Sequence, residues 1–190
     1  MKQILLLGDS IRMGYCGYVK QLLADKAEVI YPKDNCRSSQ NIIMNLHDWA
    51  RLCDSQRVKV VHFNCGQWDT GHFQYDPEPL TSIEEYKKNL LVIVRMLRRF
   101  FPEAKLIFAT TTPMNPAYPE TCNPRTTQEI SQYNEAAKKV MREMDVDIND
   151  LFSFSENWGS ESYIDYCHLT EEAYKKLGKQ VFESVLRIEP

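Results

Sequence analysis

Residues 3–11 read Gln-Ile-Leu-Leu-Leu-Gly-Asp-Ser-Ile: four aliphatic side chains in a row, then a glycine, an acid and a serine. Polarity does not alternate along this run. A short continuous apolar segment that stops at a turn signal is the pattern of a strand buried on both faces of a sheet. The same pattern recurs at 27–32 (AEVIYP), 58–64 (VKVVHFN), 104–112 (AKLIFATTT) and 146–152 (VDINDLF). Between these runs the apolar positions change to steps of three and four, which predicts helices over 17–26, about 38–54, 82–101, 127–144 and 171–187. In 82–101 the stripe is Ile83, Tyr86, Leu90, Val94, Leu97 and Phe101. Thr81 with Glu84, and Thr126 with Glu129, have the spacing of capping boxes at two of the helix starts.

Short apolar strands alternating with helices predict a parallel sheet covered on both faces, a three-layer α/β/α sandwich. Right-handed crossovers favour five parallel strands in the order 2-1-3-4-5, the flavodoxin-like arrangement, with one domain spanning 1–190. Ligands in such sheets bind beyond the carboxyl ends of the strands, at the switch point between strands 1 and 3. Two long irregular stretches fall on that edge, 66–81 after strand 3 and 113–125 after strand 4, and they are candidate pocket walls.

Composition narrows the function. With 23 Lys and Arg against 26 Asp and Glu, the net charge of −3 offers no basic surface for nucleic acid. The apolar run LLVIV at 90–94 is too short to cross a membrane, and no leader precedes strand 1, so a cytoplasmic protein with no membrane partner is expected. The six cysteines show no metal-type spacing and read as free thiols, mostly small buried hydrophobes. GDSIRMGYCG matches neither a dinucleotide fingerprint nor a phosphate loop, so neither a cofactor nor a metal is called for.

Ser10, at the tip of strand 1, is in isolation a turn residue, a helix cap or a nucleophile. Asp165 and His168 lie three apart in DYCHLT, a spacing at which a carboxylate reaches the imidazole Nδ1–H and leaves Nε2 pointing away. With Ser10 as nucleophile these complete a triad, recognised by roles and not by chain order.

LLLGDSI near the start and DYCHLT near the end together resemble the SGNH/GDSL hydrolase family, and the resemblance covers essentially the whole chain. It implies a serine esterase, with Ser10 as nucleophile, His168 as base and Asp165 as its orienter. The family's middle blocks match less closely. Its second block has a glycine whose N–H lines the oxyanion hole; here DNCRSSQN places Arg37 or Ser38 there. Its third block has an asparagine donor where this chain has Trp68, in Gly66-Gln67-Trp68-Asp69. The resemblance therefore implies an oxyanion hole from Ser10, the Arg37 region and Trp68. The last donor stays open between the Trp68 indole, a side chain of Asn64, Asn35 or Gln67, and backbone N–H groups alone. Candidate substrate contacts are Asp9, Gly66, Gln67, Trp68 and Tyr118. The expected partner is a small ester, an acetylated sugar for example, because aromatics in the long loops can stack on a sugar ring. The alternative is a weakly active or non-catalytic carbohydrate-binding protein on the same fold. Oligomeric state is not legible.

Overall fold

The computed structural model describes residues 1–118 and 122–188. Five strands, β1 (Gln3–Leu7), β2 (Glu28–Ile30), β3 (Val58–Phe63), β4 (Lys105–Ala109) and β5 (Asp147–Asn149), form one sheet in the order β2-β1-β3-β4-β5. All four pairings are parallel. Helices α1 (Ser10–Leu22) and α6 (Glu171–Ile188) cover one face; α2 (Ser39–Ala50), α3 (Ile83–Phe100) and α4 (Thr127–Glu143) cover the other. The short α5 (Leu151–Ser155) follows β5.

The unbroken aliphatic run of β1 is explained by this sandwich. Leu5 and Leu7 enter the core under α2, α3 and α4, while Ile4 and Leu6 enter the core under α1 and α6. Both faces of the strand are buried, and its one polar side chain, Gln3 at the start, is satisfied by Glu28 and by the Asp54 N–H.

The elements differ from the sequence expectation at several ends. The first helix starts at Ser10, seven residues before the expected 17, because the Asp9 carboxylate accepts the Ile11 N–H at 2.9 Å and caps it immediately after the strand. Gly14 and Gly17 weaken the helical signal in this segment. Gly14 is required by packing: a Cβ there would lie 2.2 Å from the Tyr174 ring of α6. The last strand stops at Asn149, since Asp150 caps α5 by accepting the Ser153 N–H at 3.2 Å. Helix α3 is capped by Ser82, which accepts the Glu85 N–H at 3.3 Å, and not by Thr81. The Thr126–Glu129 capping box forms with both of its bonds. The loops after β3 and β4 are joined by backbone bonds from His72 N–H to Pro124 C=O (2.9 Å) and from Gln74 N–H to Cys122 C=O (3.0 Å). Residues 119–121, part of the expected second wall, lie outside the described residues. Among the described residues no helix is long and apolar enough to cross a membrane.

Candidate active site

β1 delivers Ser10 to the carboxyl edge of the sheet as the first residue of α1, where backbone N–H groups have no intrahelical acceptor. Its Oγ lies 2.8 Å from His168 Nε2, although 158 residues separate the two in sequence. His168 Nδ1 lies 2.7 Å from Asp165 Oδ2. The other oxygen, Asp165 Oδ1, accepts the N–H groups of Cys167 (2.9 Å) and His168 (2.7 Å). One carboxylate thus fixes both the turn and the ring. Burial pushes the Asp165 carboxyl up, but these N–H groups and the His168 ring outweigh it and hold the group below its ordinary value. With Asp165 accepting from Nδ1–H, Nε2 carries the lone pair that accepts from the Ser10 hydroxyl. The turn itself is anchored by Asn115, whose Nδ2 donates to Asp165 C=O (2.9 Å) and whose N–H donates to Tyr166 C=O (2.9 Å).

Ser10 and His168 open onto a cavity of about 150 Å³. Of the residues expected to meet substrate, Gln67 and Trp68 line it. Asp9 and Gly66 do not. Asp9 is wholly buried as the cap of α1, its N–H 3.4 Å from Asn64 Oδ1, and burial holds its carboxyl above the ordinary range. Gly66 sits behind the wall at φ +145°, with Thr111 Oγ1 only 2.2 Å from where a Cβ would stand. Tyr118 is exposed and outside the lining. Asn64, one of the open donor candidates, stands outside the lining, and its Oδ1 accepts the Asp9 N–H.

Sequence reasoning missed Asn123, Arg125 and Tyr166 in the cavity wall. Arg125 donates to the carbonyls of Gln67 and Asn123 and lies 5.8 Å over the Tyr166 ring, tying three loops together. Among the described residues the lining contains this guanidinium and no carboxylate. Trp68 is clasped by Phe73 (ring centroids 5.6 Å apart) and by the Arg37 guanidinium, 5.5 Å above its ring. Arg37 itself has φ +53°, a conformation that favours glycine, and its N–H donates to Asn35 Oδ1 at 2.8 Å. An oxyanion would compete with Asn35 for that donor.

Asp69, the last residue of the Gly66–Asp69 block, points away from the cavity. It accepts from Ser39 N–H and Oγ at the start of α2, and burial pushes its carboxyl up to about 6 despite those bonds. Its role is to hold the loop against α2. Potential metal donors cluster at Asp165, Cys167 and His168, within 4.8 Å of one another. Two of these are already bonded to each other, and burial pushes the Cys167 thiol up to about 12, so it keeps its proton.

Comparison with known proteins gives a consistent result. Residues 6–176 match the model of the GDSL-like lipase/acylhydrolase family. A GDSL esterase/lipase of Arabidopsis thaliana is 28% identical over 98% of this chain and 85% of its own length. Among solved structures, the aryl esterase of M. smegmatis superposes with a TM-score of 0.79 at 18% identity, covering 99% of this chain and 100% of its own. A carbohydrate acetylesterase from Sinorhizobium meliloti gives 0.75 at 16% identity, covering 98% and 99%. These two structural likenesses establish the shared fold.

Proposed function

Because this chain belongs to the GDSL-like lipase/acylhydrolase family and is a carboxylic ester hydrolase, we propose that it works through Ser10, His168 and Asp165 on small ester substrates. The observation that carries this reading is the unbroken line from Asp165 Oδ2 through the His168 ring to Ser10 Oγ, with bonds of 2.7 and 2.8 Å. His168 Nε2 takes the Ser10 proton as Oγ attacks the ester carbonyl, while Asp165 holds the imidazolium that forms. Collapse of the tetrahedral intermediate expels the alcohol, which receives that proton, and leaves an acyl-serine. Water, deprotonated by His168, then releases the acid and restores Ser10.

The cavity volume of about 150 Å³ suits an acetyl or similarly short acyl group and not a long fatty chain. Trp68 and Phe73 in its wall suit a sugar ring in the alcohol part, and a structural relative is named a carbohydrate acetylesterase. A short O-acyl group on a carbohydrate is therefore the substrate class we favour, with the enzyme acting as a single domain. A cytoplasmic location belongs to the same reading, supported by six cysteines that are all free. A second reading, a carbohydrate-binding protein with little turnover, is favoured only by Trp68 in the place of the family's asparagine donor. One experiment separates them. The protein is treated with a fluorophosphonate, the adduct is located by mass spectrometry, and acetate release from p-nitrophenyl acetate is compared with Ser10→Ala. A Ser10 adduct and loss of turnover in the variant are expected. No adduct and no turnover above background leave the binding-protein reading in possession, and turnover unchanged in Ser10→Ala overturns Ser10 as the nucleophile.

A further inference from the structure

A serine that attacks a carbonyl creates a negatively charged oxygen, and the cavity beside Ser10 must supply hydrogen-bond donors for it. Two donor side chains of the wall are committed. Gln67 Nε2 donates to Thr112 C=O at 3.1 Å, and the Arg125 guanidinium to the carbonyls of Gln67 and Asn123. The Arg37 N–H is taken by Asn35 Oδ1 at 2.8 Å. That last bond has a second consequence. Of the two ends of a carboxamide only the oxygen can accept a backbone N–H, so the orientation of the Asn35 amide is set: Oδ1 faces Arg37, and Nδ2 takes the other side of the group. Asn35 lines the cavity with Ser10, and Nδ2 has no acceptor among the described residues.

We propose that the Asn35 carboxamide is an oxyanion donor of the Ser10 site, so that the Arg37 N–H acts through it. The Arg37 N–H polarises the Asn35 carbonyl, which strengthens Nδ2–H as a donor toward a negative oxygen. As the Ser10 Oγ–carbon bond forms, the carbonyl π pair moves onto the substrate oxygen, and that oxygen accepts from Nδ2–H. When the carbonyl re-forms, the leaving alkoxide takes its proton from His168 and the bond to Asn35 weakens again. The segment carrying Asn35 is held against the nucleophile on three sides, as a preorganised donor requires. The Cys36 N–H donates to Gly8 C=O at 3.0 Å, and Arg12 donates to Pro32 C=O (3.0 Å) and Asp34 C=O (2.7 Å). The bond from the Arg37 N–H to the side chain two residues earlier closes an Asx turn, which fixes the Asn35 carboxamide in place.

The inference rests on Ser10 being the nucleophile, and the test separates the two. Hydrolysis of p-nitrophenyl acetate is measured for the wild type, Ser10→Ala, Asn35→Ala, Asn35→Ser and Asn35→Asp, with thermal unfolding of each. Serine and aspartate both keep an oxygen to cap the Arg37 N–H but lose the amide donor. The expected result is a kcat roughly 100- to 1,000-fold lower in all three Asn35 variants, with little change in KM. Binding of methylboronic acid, which forms a tetrahedral adduct on a nucleophilic serine, is expected to weaken in parallel. A folded Asn35→Ser or Asn35→Asp variant that keeps wild-type kcat overturns the proposal, since only the turn would then matter. If the serine variant does not fold, the aspartate variant decides alone. Wild-type protein lacking Ser10-dependent turnover removes the functional reading and this inference with it.

Discussion

Arg12 is the side chain whose loss reaches furthest through the site. It projects from the first turn of α1, is 1% exposed, and donates to Gly8 C=O (3.2 Å), Pro32 C=O (3.0 Å) and Asp34 C=O (2.7 Å), with Cys36 Sγ 3.8 Å away. Replacing it by methionine keeps most of the volume and removes every donor. Gly8 C=O remains satisfied, because it also accepts the Cys36 N–H, and Asp34 sits at the surface, where water can replace the guanidinium. Pro32 C=O is buried and loses its partner outright. One orphaned acceptor and one weakened charge-assisted bond together cost about 2–5 kcal/mol, partly offset because a cation no longer has to be buried. For a chain of this size that corresponds to a fall in Tm of roughly 5–15 °C. Activity falls further than stability, since residues 32–37 are no longer pinned beside Ser10 and the donors they carry lose their position. Thermal unfolding of Arg12→Met, together with kcat on p-nitrophenyl acetate below the melting transition, checks both parts. An unchanged Tm with unchanged kcat would refute the claim that Arg12 organises this edge of the sheet.

Three more outcomes follow from the same geometry. Asp165→Asn removes the anion that orients His168 at a half-exposed position; kcat falls by up to roughly 10⁴-fold with Tm nearly unchanged, and a variant with normal kcat takes Asp165 out of that role. Gly66→Ala forces a Cβ to within 2.2 Å of Thr111 Oγ1 at φ +145°, so urea unfolding should show a loss of about 2–4 kcal/mol; full stability in that variant contradicts the packing described. Asp69 and His62 make opposing contributions to the pH profile. Burial raises Asp69 from 3.8 to about 6, so its contribution is present at low pH and lost as pH rises through this range. Burial lowers His62 from 6.5 to about 3, so its contribution is present above 6.5 and lost as pH falls toward 3. Between about pH 4 and 6 the two slopes nearly cancel. Asp69→Asn removes the opposing slope, so stability rises with pH more steeply than in the wild type by about 1.4 kcal/mol per pH unit, and urea titrations across that range that match the wild-type slope would sink the assignment.

Much of this molecule follows from local pattern. The apolar run of β1 and the alternation that follows it specify a doubly covered parallel sheet, since strand and helix periodicity depend on residues only a few positions apart. Order 2-1-3-4-5 then follows from chain connectivity and handedness. Asp165 and His168 are legible for the same reason: their bond spans three residues. Ser10 is legible as a strand-end residue, and its pairing with His168 is inferred because the topology sends both to one edge.

What the sequence does not disclose rests on contacts between distant segments. Asp9 looks like a substrate contact beside Ser10 but is turned inward, because the first helix needs a cap and Asn64 from β3's end meets its backbone. Gly66 looks like a pocket residue until the close approach of Thr111 explains it. Arg12 falls ahead of the helix expected at 17–26 and carries no signal in the sequence, and Arg125 is one cation in a proline-rich loop. Their carbonyl partners lie 20 and 22 residues away for Arg12, and 58 away for Arg125 to Gln67. Asn35 has a local bond to Arg37, yet its place in the cavity wall depends on β2 lying next to β1. A hydrogen bond across the sheet edge leaves no periodicity in the chain, so tertiary structure alone decides which polar groups surround Ser10.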